Sequence, residues 1–364
     1  RSVDLAAPLC DSGQSMRVQL GASPLSSLLS FRISDYRHPP AALVLLHLGH
    51  LAGGKEWMLR LPFVLVTAGA LPVIALAGRK VGGPLAGLGA CLACALSEPL
   101  AVMAREMKSH ALFPLAAGLV LIALLRAAEK PTTGRIVALG VANALSCWMH
   151  YMAPLLIVPQ ILGLFSRRHR AWTIRSLIVA APGAALPLYH LLFNMGRDMA
   201  LHDIASSYPG VLWGANTVGD VAGTGTHIVG PTLIVVLLVL ALAGGAWVLS
   251  AGFDRGRPIG AALAIVAVLV PVSVLALTPV ARMRGDYLRL SIPLLAIMAC
   301  VGAVQVGKVA SRVVASRRML AVRSAISLSL AFSPAVIASG QLAGGYPRDV
   351  YSFDDRCDYP VIAR

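Results

Sequence analysis

Three polar clusters interrupt an otherwise apolar chain, and each holds residue types that can bind a phosphate or move a proton. The first is Arg105-Glu106-Met107-Lys108-Ser109-His110, set between two apolar runs. Ionisable groups at such a boundary are costly to hold near lipid, so they either stop helices from sliding or take part in chemistry. Glu98, about two turns earlier inside the preceding run, favours the chemical reading. The second cluster is Arg282-Met283-Arg284-Gly285-Asp286-Tyr287-Leu288-Arg289. Its guanidinium groups can grip phosphate oxygens bidentately; an ordinary loop ion-paired through Asp286 is the alternative. The third is the N-terminal stretch carrying Asp4, Asp11, Asp35, Arg37 and His38. An aspartate there is either a solvated loop residue or a general base at a membrane surface. His150-Tyr151, at a turn between two apolar runs, adds a further imidazole and phenol. Carboxylates that deprotonate a hydroxyl and cations that stabilise a departing phosphate are what transfer from a lipid-linked phosphate requires.

These clusters are positioned by hydrophobic helices. Crossing a hydrocarbon core takes about 20 predominantly apolar residues. Such runs are read at 56–78, 84–104, 110–128, 135–150, 152–166, 172–193, 229–251, 258–280, 288–307 and 319–340. The expected fold is therefore all-α, a polytopic transmembrane bundle of about ten spans over 56–340. Residues 40–53 are apolar but too short to cross, and are expected to form an interfacial helix opened by Pro39-Pro40. Residues 1–55 form an outer loop containing that helix, and 341–364 a polar outer tail.

Composition agrees. Hydrophobic residues make up 57% and charged residues 13% of the 364 positions. A soluble domain has about 25% charged residues, so this chain lacks the polar surface to stay in water. The net charge of +15 does not indicate nucleic-acid binding. Its basic residues fall in alternate short links: Arg79-Lys80; Arg126, Lys130 and Arg135; Arg167, Arg168, Arg170 and Arg175; Arg255 and Arg257; and Lys308, Arg312, Arg317, Arg318 and Arg323. Only Glu129 and Asp254 among the acidic residues share those links. The positive-inside tendency makes this face cytoplasmic and puts all three polar clusters outside. Cys91-Leu-Ala-Cys94 lies within an apolar run and reads as helix packing rather than as a redox or metal motif. No nucleotide-binding fingerprint occurs, as expected if the donor is already dissolved in the membrane.

The order of short motifs resembles the GT-C class of polytopic glycosyltransferases, in particular the bacterial branch of the protein O-mannosyltransferase and aminoarabinose transferase superfamily. The likeness runs through His38-Pro39-Pro40, then Glu56-Trp57-Met58-Leu59-Arg60-Leu61-Pro62, Gly78-Arg79-Lys80, Ser97-Glu98-Pro99, the Arg105 to Lys108 segment and Met149-His150-Tyr151. Asp286-Tyr287-Leu288 through Pro293 matches a late element. The resemblance implies transfer of a sugar from a polyprenyl-phosphate donor to a glycan, lipid or protein acceptor outside the membrane. It makes Asp11 the candidate base, with Ser12 where a second acidic residue is usual. Glu106 matches a family glutamate, Lys108 replaces an arginine, and His110 stands where tyrosine is usual. Arg105, Lys108, Arg282, Arg284 and Arg289 become candidate donor-phosphate ligands, the family's own arginine aligning with Asp286. His38, His110, His150, Tyr151 and Tyr287 are expected to line the substrate pocket. The resemblance also places a membrane helix ahead of the Asp11 loop, expected upstream of Arg1 or lost in this member.

The implied setting is a bacterial plasma membrane with an extracytoplasmic site. No cofactor is required by this reading; a divalent cation, for which Asp354-Asp355 offers weak ligands, stays open. Two competing readings are a catalytically inactive relative serving as a lipid-binding or assembly subunit, and a transporter of lipid-linked sugars. Transporters tend to show internal repeats and charges at the bilayer midplane. Neither appears in this sequence.

Overall fold

The computed structural model describes residues 22–29, 39–105, 107–161, 164, 169–189 and 292–313. Helices account for nearly all of these, and no strand occurs among the described residues. In chain order they are α1 (Leu25–Leu29), α2 (Pro40–Leu51), α3 (Glu56–Gly82), α4 (Pro84–Ala95), α5 (Glu98–Arg105), a 3₁₀ turn (Ser109–Leu112), α6 (Phe113–Glu129), α7 (Thr133–Met149), α8 (Pro154–Ile161), α9 (Arg170–Tyr189) and α10 (Ile292–Val313). The spans expected at 229–251, 258–280 and 319–340 lie outside the described residues, as do the expected loop at 1–21 and tail at 341–364.

Chain punctuation sets the boundaries. Pro40 occupies the first turn of α2, where its missing N–H costs nothing. Gly53 and Gly54 then turn the chain into α3 with φ of 126° and 71°, a region open to glycine at little cost. The 27 residues of α3 give a rod of about 40 Å, ample for a tilted span. The run at 84–104, expected as one span, is two helices broken at Leu96-Ser97. Pro99 explains the break, since proline fits the first turn of α5 but would disrupt the interior of a continuous helix. The expected 152–166 span is described only in part. Its described helix, α8, covers Pro154–Ile161, and residues 162, 163, 165 and 166 lie outside the described residues. Three helical segments among the described residues are long and apolar enough to cross a membrane: Glu56–Gly82, Ser109–Glu129 and Arg170–Tyr189.

Helix α3 is central, with α2, α4, α6 and α10 packed on it; α7 rests on α6, and α9 on α7. Small residues permit the closest approaches. A Cβ on Gly140 would lie 2.6 Å from Val179 and 2.8 Å from the Ser176 carbonyl oxygen, so α7 and α9 meet nearly backbone to backbone. Trp148 Nε1 donates to the Gly183 carbonyl oxygen at 2.6 Å farther along the same seam. One end of the bundle gathers the basic links. There Lys80 Nζ contacts Glu129 at 2.9 Å, joining the C-terminal ends of α3 and α6, and Arg135 Nη1 donates to the Arg126 carbonyl oxygen at 2.9 Å. Met149 lies about 25 Å away, at the far end of α7.

Inside the bundle, Asn143 and Gln160 exchange two amide hydrogen bonds of 2.9 and 2.8 Å, both side chains buried. This pair ties the short α8 to α7. Such bonds within membranes contribute about 0.6 kcal/mol on average and at most about 1.7. A double-mutant cycle of Asn143→Leu and Gln160→Leu should return a coupling in that range, with each single change worse than half the double. Measured by unfolding in detergent, zero coupling would mean that the amide pair does not hold α8.

Candidate functional site

The end of the bundle opposite the basic links is covered by α1, α2 and the chain between α5 and α6. Leu28, Leu43, Leu46, Leu59, Phe63, Met107, Ala111 and Leu112 form one buried cluster there. The Thr67 hydroxyl lies 2.9 Å from the Phe63 carbonyl oxygen and 3.1 Å from that of Ala111, pinning the start of the α6 segment against α3. Met107 is fully buried and adopts φ 46°, a conformation unusual for a residue with a side chain. The chain thus turns sharply inside Arg105-to-His110, the segment singled out by its charges. Such local strain persists where surrounding packing enforces it; here Met107 is held in the cluster of Leu59 and Phe63.

Five of the residues expected at the site are described: Arg105, Lys108, His110, His150 and Tyr151. The structure brings two of them into contact. His110 and His150, forty positions apart in sequence, have ring centroids 5.2 Å apart and are 4% and 2% exposed. Phe113 packs edge-on to His150 at 5.2 Å. The Met152 amide donates to His150 Nδ1 at 3.0 Å, so that nitrogen accepts and a neutral imidazole carries its proton on Nε2. Arg105 and Lys108 flank this dyad in sequence and are half-buried, as is Tyr151. Asp11, His38, Glu106, Arg282, Arg284, Tyr287 and Arg289 lie outside the described residues.

A further cation belongs to this end. Arg60 is 6% exposed, and its Nη2 donates to Glu56 Oε1 at 2.5 Å within the first turns of α3. Arg60, Phe63 and Thr67 follow the i, i+3, i+7 spacing of one helix face, the face whose lower members meet the Ala111 segment. The sequence signal is the Glu-x-x-x-Arg spacing of Glu56 and Arg60. A buried arginine at a span end is the physical clue. Among the described residues no three His, Cys, Asp or Glu side chains are grouped to hold a metal. Cys91 and Cys94 are unbridged members of α4, packed as expected.

Comparison with known proteins gives this arrangement a family context. Residues 37–193 match the family model described as dolichyl-phosphate-mannose-protein mannosyltransferase. The fold is similar to that of ArnT from Cupriavidus metallidurans in the apo state, with 18% identity and a TM-score of 0.52, covering 93% of this chain and 71% of that one. ArnT bound to undecaprenyl phosphate gives 18% identity and a TM-score of 0.55 over 94% and 72% of the two chains. The archaeal oligosaccharyltransferase AglB from Archaeoglobus fulgidus, in complex with an inhibitory peptide and a dolichol-phosphate, gives 13% and 0.53 over 92% and 51%. No curated protein sequence matches the chain.

Proposed function

We propose that this chain, a polytopic membrane protein with the GT-C fold and a mannosyltransferase-family pattern over residues 37–193, moves a sugar from a polyprenyl-phosphate donor to an acceptor hydroxyl. The observation that carries the reading is the family pattern over residues 37–193, the part of the chain that builds the histidine-lined end. The fold it shares with an undecaprenyl-phosphate-bound ArnT supports a lipid-phosphate donor.

On this reading Asp11 takes the proton of the acceptor hydroxyl. The resulting oxygen attacks the anomeric carbon from the side opposite the phosphate. The carbon–oxygen bond to phosphate breaks, and polyprenyl phosphate departs carrying the extra negative charge. A single displacement inverts the anomeric centre. Arg105, Lys108, Arg282, Arg284 and Arg289 supply the cations that stabilise the departing phosphate, the step at which charge grows most. Glu106 assists as a second carboxylate, and His38, His110, His150, Tyr151 and Tyr287 line the pocket. The buried dyad of His110 and His150 keeps that wall dry, which strengthens every charge interaction within it. The protein then sits in a bacterial plasma membrane with this end extracytoplasmic.

The test is direct. Purified chain, reconstituted with a radiolabelled polyprenyl-phosphate sugar and a panel of glycan, lipid and peptide acceptors, should release polyprenyl phosphate in step with labelled product of inverted configuration. Retained configuration would exclude a single displacement. Flux of intact donor across the vesicle, with no bond broken, would replace the enzyme by a transporter.

A further inference from the structure

At the basic end, α7 and α9 separate after their close contact at Gly140. The gap is a cleft of about 260 Å³ lined by Thr133, Ile136, Val137, Arg175, Ile178 and Val179. Its walls continue as an exposed apolar stripe. Val137, Val141 and Leu145 on α7 are 41%, 45% and 47% exposed, and Ile174 and Ile178 on α9 are 42% and 64% exposed. Of the two helices, α9 is long and apolar enough to span a membrane, and an apolar stripe exposed on it faces acyl chains.

Arg175 breaks the apolar pattern at one place. It lies about 7.5 Å above the first residue of α9, beside the first turn of α7, and is exposed. Three cations at the same end are engaged: Lys80 with Glu129, Arg135 with the Arg126 carbonyl oxygen, and Arg170 Nε with the Leu164 carbonyl oxygen at 2.8 Å. Arg175 has no hydrogen bond or ion pair among the described residues. Its Cα–Cβ bond tilts toward the N-terminus of α9, hence toward the basic end, which lets the guanidinium reach headgroup level while its stem covers the cleft.

We infer that this cleft is a docking site for an anionic phospholipid of the leaflet on the basic side, with its phosphate on Arg175 and one acyl chain along Val137, Val141 and Ile178. Charge complementarity selects the occupant. A zwitterionic lipid brings a choline or ethanolamine cation beside Arg175, whereas a phosphatidylglycerol brings only negative charge. Basic pockets between spans on this side of a membrane suit such headgroups. The site lies at the opposite end of α7 from the His110–His150 dyad, so it is independent of the transfer chemistry.

The experiment compares thermal unfolding of the full-length protein in nanodiscs of phosphatidylcholine with and without added phosphatidylglycerol, and measures retained lipid by native mass spectrometry. Wild type should be stabilised by phosphatidylglycerol and retain it. Arg175→Gln should bind it about fivefold more weakly, the effect of one arginine at the membrane surface, while Arg175→Lys keeps most of the affinity. Lys130→Gln, which removes an exposed charge at the same end but outside the cleft, should leave retention unchanged. Equal stabilisation by both lipids would overturn the inference, as would a Lys130→Gln loss equal to that of Arg175→Gln, which would make the attraction diffuse. Retention of polyprenyl phosphate in place of phosphatidylglycerol would assign the cleft to a different lipid and overturn it equally.

Discussion

Gly87→Ala should strongly destabilise this fold, costing about 3 kcal/mol, the upper part of the range for overpacking. A Cβ at Gly87 would fall on the Ala75 carbonyl oxygen and lie 2.8 Å from Arg79 N and 3.0 Å from Arg79 Cβ. Gly78 faces it across the seam, where a Cβ would meet Gly87 Cα at 3.0 Å. The obstructing atoms are mostly backbone, so no side chain can rotate away, and α3 and α4 must move apart. Separation would also disturb Gly82, against which Val301 of α10 packs at 2.7 Å from the position of a Cβ. One methyl therefore loosens three helices. Gly69→Ala is the control. It lies in the middle of α3, where a Cβ meets nothing within 4 Å, so the change removes the helix-interior glycine penalty and should stabilise by up to about 1 kcal/mol. Unfolding in detergent followed by tryptophan fluorescence measures both. A Gly87→Ala protein as stable as wild type would mean that α3 and α4 are not packed as described.

The two glycines show where sequence reasoning stops. Both sit in apolar runs, and only the partner face distinguishes them: Gly87 meets backbone, Gly69 meets nothing. The rest of the described architecture was largely legible, because length and apolarity locate helices in a bilayer almost without tertiary context. Apolarity did hide one break. Residues 84–104 read as one span because leucine and alanine continue through Leu96, and Pro99 was the available signal for dividing it. For the site, the Arg105-to-His110 segment and His150 were found as separate polar interruptions at span ends. Their contact was not predictable, since it depends on how α6 and α7 lean together at Phe113. Arg60 was passed over because a Glu-x-x-x-Arg pair on one helix ordinarily marks a solvated face. It is nevertheless buried, on a helix against which α2, α5 and the 3₁₀ turn all pack.

Asp11→Asn should lower sugar transfer by 10²- to 10⁴-fold, the usual contribution of a positioned general base. Asparagine keeps the shape and the hydrogen-bonding oxygen but cannot accept the proton, so donor binding and thermal unfolding should be unchanged. The loss should therefore fall on kcat, with KM for the polyprenyl-phosphate sugar nearly constant. Lys108→Gln should behave differently. A cation that contacts the donor phosphate before and after bond breaking contributes to binding as well as to departure, so both KM and kcat should worsen. Glu106→Gln separates the two carboxylates. If Glu106 supports the base without replacing it, its amide should cost less than that of Asp11, and the double change little more than Asp11→Asn alone, because residues acting on one proton are strongly non-additive. Full turnover by Asp11→Asn, with loss only in Glu106→Gln, would move the base to the charged turn beside Met107. Full turnover by both would exclude Asp11 and Glu106 as the base.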